Sequence, residues 1–195
     1  DGFTMMDLVS YNEKSNSGLW PFGSSDGGSS DNDSWDSSPS AYPGDGGTVT
    51  GITQQQLRRQ QLRNLWTILF FSRGVPMSVY GDEFGRTQNG NNNAYNIDST
   101  ATWNNYNMIN TDSPTAVPLG DGFTGTYHNN FGTDGNADSR NGLFKFVRNL
   151  ICMRRDSAVF RQDSYAMTIE YKTEAGGDLS NTNCAARIRI DGSSV

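Results

Sequence analysis

The sequence predicts an α/β fold, and two observations support this class. An amphipathic helix over residues 53–73 runs at once into a short apolar segment, 75–80, and an acidic loop. A second amphipathic helix follows at 139–155. Helices that alternate with buried strands are typical of α/β proteins, whose functional side chains follow the carboxyl ends of the strands. We therefore expect the functional site in the loops after the strands.

Composition excludes several classes of function. The 195 residues carry a net charge of −6, which argues against a nucleic-acid partner, because such proteins present a basic face. The longest nearly apolar stretch, 65–71, is too short to cross a membrane. Gly, Ser, Asn and Asp make up 80 of the residues, yet 11% are aromatic, which favours a loop-rich globular protein over a disordered chain. The tail of the chain is rich in Ser and Asn and poor in Lys, which suggests a secreted or periplasmic protein, with a cytoplasmic location as the alternative.

The first part of the chain is predicted to be mostly loop. Residues 1–12 mix apolar and polar side chains, as at a strand end that runs into a loop. A long loop, 13–51, follows, and 22 of the 25 residues over 23–47 are Gly, Ser, Asp, Asn or Pro. Trp20 and Trp35 indicate that this loop is ordered, because flexible linkers rarely carry large aromatic side chains. The chain opens at Asp1 and not at Met, so we expect it to be processed or truncated.

The helix over 53–73 has clear boundary signals. Thr53 and Gln56 form a capping box at its start, and Gly74 stands where a C-terminal glycine is favoured. Its apolar stripe consists of Leu62, Leu65, Trp66 and Leu69. Segment 75–80, VPMSVY, then predicts a short buried strand.

The second part of the chain alternates between loop, helix and strand. Residues 84–138 are too long for a simple connection, so part of this loop is an insertion. The helix over 139–155 places five apolar residues on one face: Leu143, Phe146, Val147, Leu150 and Ile151. Segments 165–171 and 184–190 alternate apolar and polar residues with period two, which predicts an antiparallel pair.

Few side chains are available for chemistry. His128 is the only histidine, and with two cysteines, Cys152 and Cys184, a metal site of several His or Cys is excluded. The run 31–36, DNDSWD, superficially resembles a calcium loop but lacks the glycine and distant glutamate of an EF-hand, so structural calcium stays an open alternative. Carboxylates near the predicted strand ends remain: Asp1, Asp7, Asp82 and Glu83. Glycoside hydrolysis needs carboxylates and no cofactor, which suits this inventory.

Four segments carry strings that occur together in one known family. Residues 1–12 read DGFTMMDLVSYN, and 20–36 contain WPFGSSDGG and NDSWD. Residues 74–88 contain GVPM and GDEFGRTQ, and 91–96 read NNNAYN. In this order and spacing, the strings resemble the isoamylase and glycogen-debranching group of glycoside hydrolase family 13, the α-amylase superfamily.

The resemblance runs from residue 1 to about 106 and resumes over 141–161. It implies the C-terminal portion of a (β/α)₈ TIM barrel, with strands 7 and 8 and their helices, that runs into the first strands of an antiparallel β-sandwich domain. The implied divisions are a barrel part over 1–160, with long loops at 13–51 and 84–138, and the start of the β-domain over 161–195.

The resemblance also implies an activity, which is retaining hydrolysis of α-1,6 branch linkages in glycogen or amylopectin. In this family, carboxylates after the fourth and fifth strands act as nucleophile and general acid/base, and a third, after the seventh strand, stabilises the transition state. Asp1 matches the third. The isolated 195-residue chain is therefore expected to be inactive. Its implied partners are the upstream barrel segment and branched α-glucans, including limit dextrins; no cofactor is required for catalysis, and no membrane partner is expected.

Five further residues are candidates for binding glucan: Trp20, Trp35, Asn92, Asn93 and Tyr95. The tryptophans could stack on glucose rings or pin their loop to the barrel, and the asparagines could line the cleft or shape their own loop. Two other functions stay open. The chain could belong to an α-amylase-type enzyme that cuts α-1,4 bonds, or it could be a non-catalytic glucan-binding fragment.

Overall fold

Helices and turns dominate the part of the chain that the computed structural model describes. The described residues are 2–16, 27–39, 51–88, 90–95, 97, 104, 106–109, 117–118, 124–125, 140–161, 168–173, 175–178 and 187–191. The helices are α1 (Met5–Leu8), α2 (Gln54–Phe71), α3 (Arg140–Asp156) and α4 (Ala158–Arg161). The strands are β1 (Val117–Pro118), β2 (Thr124–Gly125), β3 (Thr168–Lys172) and β4 (Arg187–Asp191), and 3₁₀ turns span Asp82–Phe84 and Tyr106–Ile109. The chain divides into two units, residues 1–65 with 78–147 and residues 66–77 with 148–195.

Helix α2 begins with the predicted capping box. The Thr53 amide donates to Gln56 Oε1 (2.8 Å), and the Gln56 amide donates to Thr53 Oγ1 (3.2 Å), so two of the amides at the start of the helix are satisfied. Four apolar side chains of α2 are buried: Leu57, Leu62, Trp66 and Phe70. The helix ends at Phe71, two residues earlier than predicted, and Gly74 follows with a φ of +94°.

Helix α3 also forms as predicted, but its buried face is narrower than the predicted stripe. Leu143, Val147 and Leu150 are buried, whereas Ile151 is 48% exposed. At 100° per residue, Ile151 lies about 80° around the helix from Leu143, at the edge of the buried face. Cys152 lies half-buried on this helix as a free thiol, and Cys184 is outside the described residues.

The C-terminal end of α2 is capped by a side chain distant in sequence. The guanidinium of Arg154, on the last turn of α3, donates to the carbonyls of Phe70 (2.5 Å), Ser72 (3.0 Å) and Gly74. Carbonyls at a helix end lack partners within the helix and carry partial negative charge, so a cation there is favourable. Arg154 thus caps the C-terminal end of α2.

The predicted antiparallel pair at the end of the chain is confirmed. Strands β3 and β4 pair from Thr168 with Asp191 to Lys172 with Arg187. A second antiparallel pair, β1 with β2, lies inside the region predicted to be loop. The remaining residues of the predicted segments 165–171 and 184–190 lie outside the described residues.

The predicted buried strand over 75–80 does not form in this chain. Residues 75–79 belong to no strand. Four side chains of the segment 75–80 are exposed: Val75 (86%), Met77 (82%), Val79 (56%) and Tyr80 (76%). An extended segment becomes a strand only when a neighbour pairs with it, and no described strand does so here. The apolar pattern of 75–80 was therefore insufficient to specify a strand.

We predict that the C-terminal cap of α2 contributes measurably to stability. Replacing Arg154 by Met keeps the apolar length of the side chain but leaves three carbonyls without their donor, so the free energy of unfolding should fall by about 1.5–3 kcal/mol. The measurement is urea denaturation followed by circular dichroism. Arg155→Met is the matched control, because Arg155 is exposed and pairs with its neighbour Asp156. Equal effects of the two substitutions would contradict this role.

Candidate active site

The short helix α1 replaces the predicted strand end at the start of the chain. Thr4 caps it: its hydroxyl accepts a hydrogen bond from the Asp7 amide (3.1 Å), and its carbonyl accepts one from the Leu8 amide (2.9 Å). A threonine with this geometry begins a helical turn, because it satisfies an amide that otherwise has no partner. The apolar residues that follow it belong to the helix, and Met6 is fully buried.

The side chain of Asp7 joins α1 to a segment 80 residues away. It accepts hydrogen bonds from the Thr87 hydroxyl and from the Gln88 amide (2.8 Å). The carboxyl group is completely buried, and this burial raises its pKa from 3.8 to about 6, although its hydrogen bonds oppose part of the shift. Asp7 therefore fixes residues 87–88 against α1.

A second buried carboxylate, Asp82, holds the start of the same helix. Its Oδ1 accepts a hydrogen bond from the Met5 amide (3.1 Å). Burial raises the pKa of Asp82 to about 6, and the charge of Arg86 and the bond from Met5 oppose the shift. The turn that carries Asp82 is flanked by Gly81 and Gly85, with φ values of +95° and +75°, so the chain can bend sharply on both sides.

Backbone hydrogen bonds extend this connection. The Gly2 amide donates to the Asn92 carbonyl (2.8 Å), and the Ser15 amide donates to the Gly90 carbonyl (2.7 Å). Hydrogen bonds therefore join segment 2–15 to segment 82–92 at several points along their length. These are two of the segments whose strings resemble the same family.

A pocket of about 360 Å³ lies where the two segments meet. Its lining residues are Gly2, Phe3, Thr4, Val79, Arg86, Gln88, Asn92, Ala94 and Tyr95. Hydrogen-bonding side chains and a flat phenol ring thus border one cavity. Such a combination suits a ligand with both hydroxyl groups and apolar faces.

The structure brings together some of the predicted site residues. Tyr95 lines the pocket and is 75% exposed, and Asn92 lines it from a buried position. Asn93 is also buried, and its amide donates to Asn91 Oδ1 (2.8 Å). The predicted catalytic residue, Asp1, and the predicted binding residue Trp20 lie outside the described residues.

Trp35 is held as part of its loop. Its backbone amide donates to the Leu8 carbonyl (3.0 Å), its side chain is half-buried, and its indole Nε1 is buried. A ring that stacks on a sugar must expose a face, so this position favours the alternative in which Trp35 pins the loop. Its binding role stays a prediction.

Sequence reasoning missed several residues that line the pocket, chiefly Phe3, Val79, Arg86 and Gln88. The signal was present for three of them, because Phe3 lies in the string DGFT and Arg86 and Gln88 lie in GDEFGRTQ. The spacing of residues along the chain could not show that Phe3 and Gln88, more than 80 residues apart, line the same cavity.

The residues described here contain no group of three or more His, Cys, Asp or Glu side chains that could hold a metal ion. Asp36 Oδ1 accepts from the Ser38 amide (2.9 Å), and Asn32 Nδ2 donates to the Ser29 carbonyl (3.1 Å). Within the described part of the chain, no helix is both long and apolar enough to span a bilayer.

Comparison with known proteins gives relatives in one group. An isoamylase of Flavobacterium sp is 46% identical over 103 residues, 53% of this chain and 12% of the relative. A GlgX homologue, a glycogen operon protein of Mycobacterium tuberculosis, is 35% identical over 162 residues, 83% of this chain and 18% of the relative. The chloroplastic isoamylase 1 of rice, Oryza sativa subsp. japonica, is 42% identical over 95 residues, 49% of this chain and 11% of the relative. No family model matches.

These matches confirm the resemblance to the isoamylase and glycogen-debranching group, to which the chain is related over the matched residues. The chain spans between 11% and 18% of the length of these curated relatives.

The two buried carboxyl groups predict how stability depends on pH. A folded-state pKa of about 6, against 3.8 for an ordinary aspartate, means that the folded chain binds the proton more tightly. The stabilisation from each group is complete below pH 4 and is lost as the pH rises through 6. We predict that Asp7→Asn, which resembles the protonated form, gains on the native chain over this interval and reaches an advantage of roughly 2–3 kcal/mol at pH 8.

The measurement is urea denaturation of both proteins from pH 4 to pH 8. The difference between them isolates Asp7 from the exposed carboxylates. Asp7→Ala is the control, because it removes the acceptor for Thr87 and Gln88 and should destabilise the chain at every pH. A difference between native chain and Asp7→Asn that does not change with pH would contradict the buried, proton-binding state of Asp7.

Proposed function

We propose that the chain is part of a glycoside hydrolase that debranches α-glucans, with glycogen and amylopectin as substrates. One observation carries the proposal. Two segments with debranching-group strings, 2–15 and 82–95, converge on a single pocket with polar and aromatic lining. The relationship to isoamylases supports the same substrate class.

In this proposal, Asp1 is the carboxylate that bonds sugar hydroxyls and stabilises the oxocarbenium-like transition state. It is bonded covalently to Gly2, which lines the pocket. A retaining mechanism requires two further carboxyl groups, a nucleophile and an acid/base. We propose that these come from the upstream part of a (β/α)₈ barrel, and that residues 1–160 complete this barrel before a β-domain over 161–195.

Tyr95, Arg86 and Gln88 are the proposed contacts of the glucan in the pocket. The exposed ring of Tyr95 presents a flat apolar surface, and a glucose ring has an apolar face that can pack on it. Arg86 Nη2 donates to Gln88 Oε1 (2.5 Å) and Gln88 Nε2 donates to the Asn91 carbonyl (2.9 Å), so the two side chains form a polar wall that suits sugar hydroxyls. We further propose that the protein is exported, on the ground of its low lysine content.

We predict that Asp1 is required for cleavage. The test is a chimaera in which this chain replaces the matching region of the Flavobacterium isoamylase, so that the relative supplies the upstream barrel. Release of reducing ends from glycogen is measured. The chimaera should be active, and Asp1→Asn should lower kcat by a factor on the order of 10²–10³, because a group that stabilises the transition state is removed. Asp31→Asn is the control in an exposed position. Equal activity of Asp1→Asn and the unmodified chimaera would refute this role.

We also predict that Tyr95 contributes to glucan binding. Tyr95→Ala should weaken the binding of maltoheptaose about tenfold, which corresponds to about 1.4 kcal/mol of lost ring packing. Isothermal titration calorimetry on the same chimaera measures the change. Tyr80→Ala is a matched control, because Tyr80 is 76% exposed but does not line the pocket. If both variants bind like the native protein, the pocket is not the glucan site.

A further inference from the structure

The loop that carries Trp35 is held to the pocket by a cluster of amide side chains. We propose that Asn16, Asn32 and Asn92, closed around Gly28, form an amide clasp that fixes segment 27–32 beside the pocket and so sets the grip on longer glucan chains. These are positioning residues, since they act through the loop that they hold. The inference rests on the proposed function for its substrate, and on hydrogen-bond geometry for the device.

Asn92 is the centre of the clasp. Its side-chain oxygen accepts from Asn16 Nδ2 (2.9 Å), and its Nδ2 donates to the Ser29 carbonyl (2.8 Å) and to Asn32 Oδ1 (2.7 Å). Its backbone amide donates to Asn16 Oδ1 (3.1 Å). Its carbonyl accepts from the Gly2 amide (2.8 Å), so every polar atom of Asn92 has a partner within the protein. The residue is 1% exposed. Asn92 therefore forms part of the pocket wall, and its side-chain amide bonds to the loop.

Two other side chains hold the same loop by its backbone. Lys14 Nζ donates to the carbonyls of Gly27 (3.1 Å) and Gly28 (2.6 Å), and Asn16 Nδ2 donates to the Gly27 carbonyl (3.2 Å). Segment 27–32 has no helix or strand of its own. Among the described residues no backbone ladder holds this segment, so these side-chain bonds fix its position.

The clasp closes only because residue 28 has no side chain. A Cβ at Gly28 would lie 2.2 Å from Asn92 Oδ1 and 2.8 Å from Asn16 Nδ2, so both amide groups of the clasp would have to move away. At the neighbouring Gly27, the nearest atom would be Asn93 Nδ2 at 3.3 Å. The two glycines have similar φ values, +74° and +77°, so alanine suffers the same backbone strain at both. They differ in the contact with the clasp.

The first test compares Gly28→Ala with Gly27→Ala by hydrogen exchange of the amides over 27–39. Both substitutions add the same strain, so the difference between them reports the clasp alone. We expect Gly28→Ala to exchange about tenfold faster than Gly27→Ala in this segment, with α2 unchanged in both. Equal exchange in the two variants would overturn the clasp.

A second pair of variants avoids the strain at glycine. Asn92→Asp loses the donor to Ser29 and Asn32 and buries a charge, whereas Asp31→Asn is the reverse isosteric change at an exposed side chain of the same segment. Segment 27–39 should lose protection in Asn92→Asp and keep it in Asp31→Asn. Loss in both, or in neither, would overturn the central role of Asn92.

The glucan-binding measurement tests the functional part of the proposal. Gly28→Ala should bind maltoheptaose about tenfold more weakly than Gly27→Ala, while both bind maltotriose alike, because the loop contacts only the more distant glucose units. General unfolding would weaken both ligands together. Equal maltoheptaose affinities despite faster exchange would overturn the role in glucan binding. These binding measurements use the chimaera with the isoamylase of Flavobacterium sp, which supplies the upstream barrel. If the unmodified chimaera binds neither oligosaccharide, the proposed function and the grip are both refuted, while the exchange data decide the clasp on their own.

Discussion

The buried carboxylate of Asp7 is the constraint on which the site depends. It satisfies the hydroxyl of Thr87 and the amide of Gln88 at once, and it does so from a helix of four residues that could not persist alone. A buried donor without a partner costs more free energy than a hydrogen bond returns. Residues 87–88 therefore have one place to lie, and the pocket between the two segments exists because they lie there.

The burial of two carboxyl groups, Asp7 and Asp82, in one small region lowers the stability of the folded chain when both groups are ionised. Asp82 has the nearby charge of Arg86, whereas the Thr87 hydroxyl and the Gln88 amide, which bond to Asp7, are neutral groups. Desolvation exceeds the hydrogen bonds in both cases, as the raised pKa values report. Replacing either aspartate by asparagine would remove the desolvation cost of the ionised carboxylate. The chain thus shows the combination of buried, perturbed carboxyl groups beside a cavity that is typical of functional sites.

Predictions from local patterns succeeded where the interaction is local. Thr53 and Gln56 are three residues apart, so a capping box can be read directly, and the alternation at 168–172 and 187–191 reflects a period of two. The strand predicted at 75–80 failed because a strand needs a partner that its own residues do not contain. Arg154 suited the end of its own helix, yet its guanidinium caps α2.

The sequence by itself determined helices α2 and α3, the antiparallel pair of β3 and β4, the relationship to debranching enzymes, and Asn92 and Tyr95 as residues of interest. Helix periodicity, caps and motif strings involve residues close together in the chain, so their physical causes are visible in order. Only the tertiary structure decided that Asn92 turns its amide to the loop, that Asp7 holds Thr87, and that Phe3 and Gln88 share a pocket. These facts depend on which buried donors meet which acceptors across some 80 residues, and no local pattern encodes that pairing.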